Sequence, residues 1–182
     1  MPKFRLETTL DGEANVLPRL ALLTAPHMAA LEAFRENLER DGRSVPHFDP
    51  FDGGVEAELL ILLETPGPST SPVRFVSIDN PTGTAANLRR FLTAAGIVRT
   101  RIILWNIVPW LSPRRQRPTV PDIKAGVAQS LDLLENLPRL RAIVPAGRTA
   151  NALTPFVLGR FPIFPIGHPS PTSTRRPISP PE

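Results

Sequence analysis

The apolar positions of this chain fall into short unbroken runs separated by longer amphipathic stretches. Residues 59–63 are all leucine or isoleucine and end at Glu64-Thr65-Pro66-Gly67-Pro68. So short a run, closed by turn-forming residues, predicts a strand buried on both faces, as in a parallel sheet. Residues 101–108, 141–145 and 161–166 repeat the pattern, and 75–78 suggest another short extended piece. Between them, 25–40 carry Met28, Leu31, Phe34 and Leu38 at helical spacing and stop at Asp41-Gly42. Residues 84–95 are helical in pattern and close on Gly96, while 121–137 read as a helix with Pro121 just inside its start. Gly147-Arg148-Thr149 leads into a further helix. The alternation predicts an α/β fold, a three-layer α/β/α sandwich around a central four-stranded, mainly parallel sheet.

In such sheets ligands bind beyond the carboxyl ends of the strands. Three polar clusters fall there: Glu64-Thr65 after the first strand, Asn106 at the end of the second, and His168 after the fourth. His168 lies in Gly167-His168-Pro169-Ser170-Pro171, a loop stiffened by two prolines. A histidine fixed there serves either as acid, base or hydrogen-bond donor, or simply as the cap of a turn. Asn106 offers a donor and an acceptor together, which suits the edge of a pyrimidine and equally the stray backbone groups of a strand end. Glu64 is a general base or a solvated carboxylate.

Composition narrows the classes. The chain has 182 residues, 41% of them hydrophobic and 21% charged, and suits one domain over 1–172. The tail, 173–182, is rich in Pro, Ser and Arg and is expected to be flexible. There is no cysteine, which excludes disulfides, thiol catalysis and thiolate-held metal or iron–sulfur centres. No run approaches the ~20 apolar residues of a membrane span. The first ten residues lack the apolar core of a signal peptide, so a cytoplasmic location is expected, on the nucleoid in a bacterium.

The net charge of +4 is unevenly spread. Residues 1–112 hold 11 Lys/Arg against 13 Asp/Glu; residues 113–182 hold 10 against 4. The basic half includes Arg114 and Arg115 in one loop and Arg175 and Arg176 near the end, a grip for a polyanion or a basic surface with no partner. Other features are weaker. His47-x-Asp49-x-x-Asp52 superficially resembles a metal site, but Asp-Pro and Asp-Gly-Gly explain both aspartates as turn formers, and no metal is expected. Trp105 and Trp110 are expected to pack in the core, and His27 to cap or decorate a helix start. There is no phosphate-binding glycine loop, no Gly-x-Ser-x-Gly and no paired metal-binding helix motif.

Taken in order, Leu63-Glu64-Thr65-Pro66-Gly67, Leu104-Trp105-Asn106-Ile107-Val108 and His168-Pro169-Ser170-Pro171 resemble the motifs of the uracil-DNA glycosylase superfamily. The stretch from Thr84 to Leu92 resembles the helix after that family's uracil-stacking loop, and Ala146-Gly147-Arg148-Thr149 a feature before its penultimate helix. The resemblance covers roughly 48–173. It implies a monomeric, cofactor-free enzyme that flips uracil out of DNA, hydrolyses its N-glycosidic bond and releases free uracil. It gives His168, Glu64, Thr65 and Asn80 to catalysis, and Asn106, Phe75, Pro66, Gly67 and Asp79 to the base. Ser170, Thr172, Arg114, Arg115, Arg175 and Arg176 fall to DNA, with Thr172 near the wedge position. Phe75 stands nearest the place of the stacking aromatic. One departure matters: where some members carry a catalytic aspartate, this chain has Thr65, leaving Glu64, Asp79 and Asn80 to activate water. The rivals are a non-catalytic DNA-binding relative, a glycosylase for thymine or other deaminated bases, and an unrelated small-molecule hydrolase.

Overall fold

A computed structural model describes residues 9–10, 13–40, 42–67, 73–110 and 117–171. The all-apolar run forms β2 (Leu59–Leu63), the middle strand of a three-stranded sheet. It is flanked by β4 (Ile102–Asn106) and β5 (Ala142–Pro145), both parallel to it. The register runs from Leu59↔Ile102 to Leu63↔Asn106 on one side and from Leu59↔Ala142 to Leu62↔Pro145 on the other. Leu60, Ile61 and Leu62 are all buried, so both faces of the strand are covered, as the unbroken apolar pattern requires. Each such side chain contributes roughly 1.5–3 kcal/mol when fully buried.

The expected fourth strand is an irregular edge. Residues 161–166 run parallel to β5 through isolated bridges, Ile143↔Ile163 and Ala146↔Ile166. The amides of Phe164 and Ile166 donate to Ile143 and Pro145, each at 3.0 Å. Pro162 and Pro165 carry no amide hydrogen, and Pro165 falls on the alternate position that faces away from β5, which leaves the rim poorly able to pair further. The order is therefore β4, β2, β5, then 161–166, with the sense of winding reversing between β2 and β5. The regular sheet has three strands rather than four; the fourth position is filled without a continuous ladder.

A second, two-stranded parallel sheet joins β1 (His47–Phe48) to β3 (Phe75–Val76). It leans on the main sheet through Phe48, whose ring stacks on Trp105 with centroids 4.1 Å apart. Helix α1 (Glu13–Leu22) contains Pro18 and buries Arg19. Helix α2 (Ala29–Glu39) packs Leu31, Phe34 and Leu38 inward, starting later than the apolar spacing predicts because residues before it take up turns. Helix α3 (Gly83–Ala94) is capped by the Thr82 hydroxyl, which accepts from the Ala85 amide at 3.2 Å. Helix α4 (Val120–Leu134) begins with a reciprocal capping box between Thr119 and Asp122. These bonds hold the Asp122 carboxyl below its usual pKa, the Thr119 hydroxyl first and its amide second. The short α5 (Thr154–Val157) follows a 3₁₀ turn. Among the described residues no helix is long and apolar enough to cross a membrane.

Candidate active site at the carboxyl edge of the sheet

Parallel strands bring their carboxyl ends to one edge, and four strand ends meet there. Asn106 closes β4 directly opposite Leu63, so it neighbours Glu64 across the ladder. The ladder continues past both, the Val108 amide donating to the Glu64 carbonyl at 3.1 Å. Asn106 is 2% exposed, and its side-chain amide makes no hydrogen bond to another described residue. An amide with open donors and acceptors at this edge is available to the edge of a ligand.

On the other side of β2, the chain leaves β5 through Ala146-Gly147. Gly147 has φ +93°, a left-handed conformation that favours glycine. The turn carries Thr149 across the reversal point, where its hydroxyl donates to Glu64 Oε2 at 2.7 Å. The carboxylate is thus held on one oxygen and half-exposed. Arg148, between the two, is exposed on the same rim.

His168 comes from the last segment of the sheet. Its Nδ1 accepts the Ser170 amide at 3.2 Å, so a neutral ring carries its proton on Nε2 and presents a donor there. A Cβ placed on Gly147 would lie 3.2 Å from the His168 Cβ, so glycine lets the loop settle onto the end of β5. Helix α3 fixes the far side. Asn87 Nδ2 donates to the Pro169 carbonyl at 2.9 Å, and Gly83 meets Pro171 so closely that a Cβ would stand 2.3 Å from its Cγ. Asn106 and His168 lie three strand steps apart, roughly 14 Å at about 4.8 Å per step.

The structure brings Glu64, Thr65, Pro66, Gly67, Asn106, His168 and Ser170 to this one edge, the Gly67 carbonyl accepting from Arg74. Phe75, on β3, stays beside it: its ring is buried and 5.4 Å from that of His47, one residue from Arg74. Asn80 stays by Phe75, whereas Asp79 lies elsewhere. The Asn80 amide donates to the Phe75 carbonyl at 2.9 Å. Asp79 is buried at the amino end of β4, bonded to Arg99 and, at 2.6 Å, to Arg19. A third guanidinium, Arg89, stands 3.5 Å from it, and these partners take it away from a water at the opposite edge. Thr172, Arg114, Arg115, Arg175 and Arg176 lie outside the described residues.

Sequence reasoning missed this interior ion network. Arg19 Nε binds Asp49 at 3.0 Å, Arg99 binds Asp52 at 2.7 Å and Asp49 at 2.6 Å, and the Ser77 hydroxyl donates to Asp49. Burial alone would lower the Arg99 pKa; Asp52, Asp49 and Asp79 outweigh it and raise it. The aspartates are turn residues as expected, Asp49 accepting the Phe51 amide at 3.0 Å, but they also neutralise buried arginines. His47, the third member of that motif, is bound to Glu32 instead. Among the described residues no cluster of three or more acidic or histidine side chains is arranged to hold a metal. Trp105 is in the core, whereas Trp110 is half-exposed under Arg43. His27 bonds the Pro50 carbonyl at 2.9 Å.

Fold and site together define an α/β protein whose polar side chains converge at the carboxyl edge of a parallel sheet, around the point where the winding reverses. A sequence model of the uracil DNA glycosylase superfamily matches residues 50–181, and the chain belongs to that superfamily. Its members are DNA glycosylases, so a glycosylase-type function, hydrolysis of N-glycosyl bonds with DNA as substrate, follows from the membership. Among curated proteins, none matches the chain by sequence.

Proposed function

We propose that this chain is a uracil-DNA glycosylase that removes uracil from DNA, leaves an abasic site and releases free uracil, acting as a monomer without metal or cofactor. Its place of work is the cytoplasm, on the nucleoid in a bacterium. The observation that supports this reading is Asn106, whose side-chain amide bonds to no other described residue, beside Glu64 and with the His168 donor across the same edge.

The target nucleotide is flipped out of the stack, because the glycosidic bond is out of reach within it. Asn106 pairs with the O4 and N3–H edge of uracil and rejects cytosine, whose amino group presents a donor where an acceptor is needed. As the C1′–N1 bond breaks, its electron pair leaves with uracil. His168 Nε2–H donates to O2, where the negative charge gathers. Water adds to C1′, and Glu64, oriented by Thr149, accepts its proton. Phe75 stacks on the base from the flank, and Ser170, Thr172 and the arginines at 114, 115, 175 and 176 hold the phosphates.

Thr65 favours a second reading, a relative that binds DNA but does not cut. End-labelled DNA carrying one uracil, opposite guanine, opposite adenine or in single strand, separates the two after alkali treatment. Strand cleavage at uracil alone is expected. Cleavage at thymine or another deaminated base would reassign the substrate, and retained binding without cleavage would establish the non-catalytic relative.

A further inference from the structure

A surface cavity of about 190 Å³ opens beside the candidate site, lined among others by Arg35, Glu39, Ser44, His47 and Arg74. Most of its charge is already spoken for. Arg35 binds Glu32 at 2.9 Å and Glu39 at 2.7 Å, and the other Glu39 oxygen accepts the Val45 amide at 3.1 Å. His47 Nδ1 is tied to Glu32 at 2.8 Å. Arg74 is the exception. It is half-buried, enough for burial to lower its pKa, yet no carboxylate lies within ion-pair distance of it among the described residues. Its anchor among the described residues is the neutral Gly67 carbonyl, which fixes the guanidinium without neutralising it. A cation removed from water without a counter-charge is costly unless an anion completes the site.

The position of the cavity says which anion. On one side its lining residue Arg74 is bonded to Gly67, in the loop that leaves the carboxyl end of β2. On the other side Ser44 lines it, and the neighbouring Arg43 lays its guanidinium 4.1 Å above the ring of Trp110, four residues beyond Asn106. Through Arg74 and Arg43 the cavity borders the loops that leave the carboxyl ends of β2 and β4, where a DNA strand passes if its flipped base enters at Asn106. We propose that Arg74 grips a phosphodiester of the DNA strand that carries the target base, with Arg43 on Trp110 extending the same phosphate track. A guanidinium fork matches two non-bridging phosphate oxygens. This rests on the DNA-directed reading above, and it adds a grip in the acidic N-terminal half to the arginines expected in the basic one.

The test is equilibrium binding of the full chain to DNA bearing a tetrahydrofuran abasic analogue, which cannot be turned over, across a salt series. Wild type, Arg74→Gln and Arg74→Lys are compared. Losing one phosphate contact lowers the log–log salt slope by about 0.9 on duplex and about 0.7 on single strand. That loss is expected in Arg74→Gln, with the slope kept in Arg74→Lys, which retains the charge. An unchanged slope in Arg74→Gln would overturn the proposal, as would a wild type that does not bind DNA. Saturable binding of inorganic phosphate, lost in Arg74→Gln while the DNA slope stays constant, would give the cavity to a free anion instead. Uracil release by the wild type is scored separately. Its absence, with the slope still reduced in Arg74→Gln, would sink the glycosylase reading and leave the phosphate grip standing.

Discussion

Thr149 and Glu64, 85 positions apart in the chain, are joined by a 2.7 Å hydrogen bond across the ends of β5 and β2. A bond to a carboxylate restricts a side chain that otherwise swings freely in solvent, and it leaves the second oxygen for water. Thr149→Val keeps the shape and removes the donor. At about 1.5 kcal/mol for such a bond, turnover is expected to drop roughly tenfold with DNA affinity unchanged. Thr149→Ser should restore most of it. Equal single-turnover rates in wild type and Thr149→Val would remove Thr149 from the mechanism.

His168 stands on Gly147, and its Nδ1 is occupied by the Ser170 amide. The only ring nitrogen left to serve a leaving base is Nε2. His168→Ala is therefore expected to slow uracil release by on the order of 10²–10³-fold, the range for losing one donor to a developing anion. Binding to abasic-analogue DNA should change little. Undiminished turnover in the variant would show that the loop is a scaffold and that charge on the base is stabilised elsewhere.

Local pattern and long-range geometry were legible to different degrees in the sequence. The run 59–63 fixes its own boundaries because every residue is apolar and Glu64 follows at once. Asn106 and His168 were legible for a related reason: parallel strands send their ends to one edge whatever the loops do. The segment 161–166 looks like the other strands, yet Pro162 withholds an amide on the side facing β5 and Pro165 one on the open side, and pairing is limited to isolated bridges. Helix α1 was hidden by Pro18, and β1 is two residues long. Asp79 was given to the base by the family resemblance. Its partners Arg19 and Arg99 lie 60 and 20 positions away, and no periodicity links them.

Asn106 is buried at the end of β4 with its amide open. Asn106→Asp replaces the amide donor with a carboxyl oxygen, which repels uracil O4 when ionised and accepts from the cytosine amino group. A mismatched buried polar pair costs on the order of 1–3 kcal/mol, so the preference for uracil over cytosine is expected to narrow by roughly ten- to hundredfold. Competition between uracil- and cytosine-containing oligonucleotides measures it. A variant with the parental ratio would take Asn106 off the reading edge.

Asp52 should give the interior ion network a pH signature. Its Oδ1 accepts from Arg99 at 2.7 Å, while Oδ2 is buried with no partner. Burial raises its pKa well above 3.8; Arg99 opposes the rise, and Asp49 and Asp79 add to it. Arg19 and Arg99 face these three carboxylates from the interior, and Arg89 reaches Asp79 at 3.5 Å from the half-exposed side. A raised folded pKa means that the native state holds more protons than the unfolded chain from the ordinary carboxyl range upward. Stability contributed by this residue is then full below that range, declines as pH rises toward the folded pKa, and is level beyond it. Asp52→Asn keeps the carbonyl that Arg99 uses and removes the titration. Relative to wild type, the variant is expected to gain stability steadily as pH rises from about 4, with no relative gain below that. Urea unfolding of both proteins across that range reads the difference directly. A difference independent of pH would mean that Asp52 titrates alike in the folded and unfolded chain, and that the network holds its third negative charge.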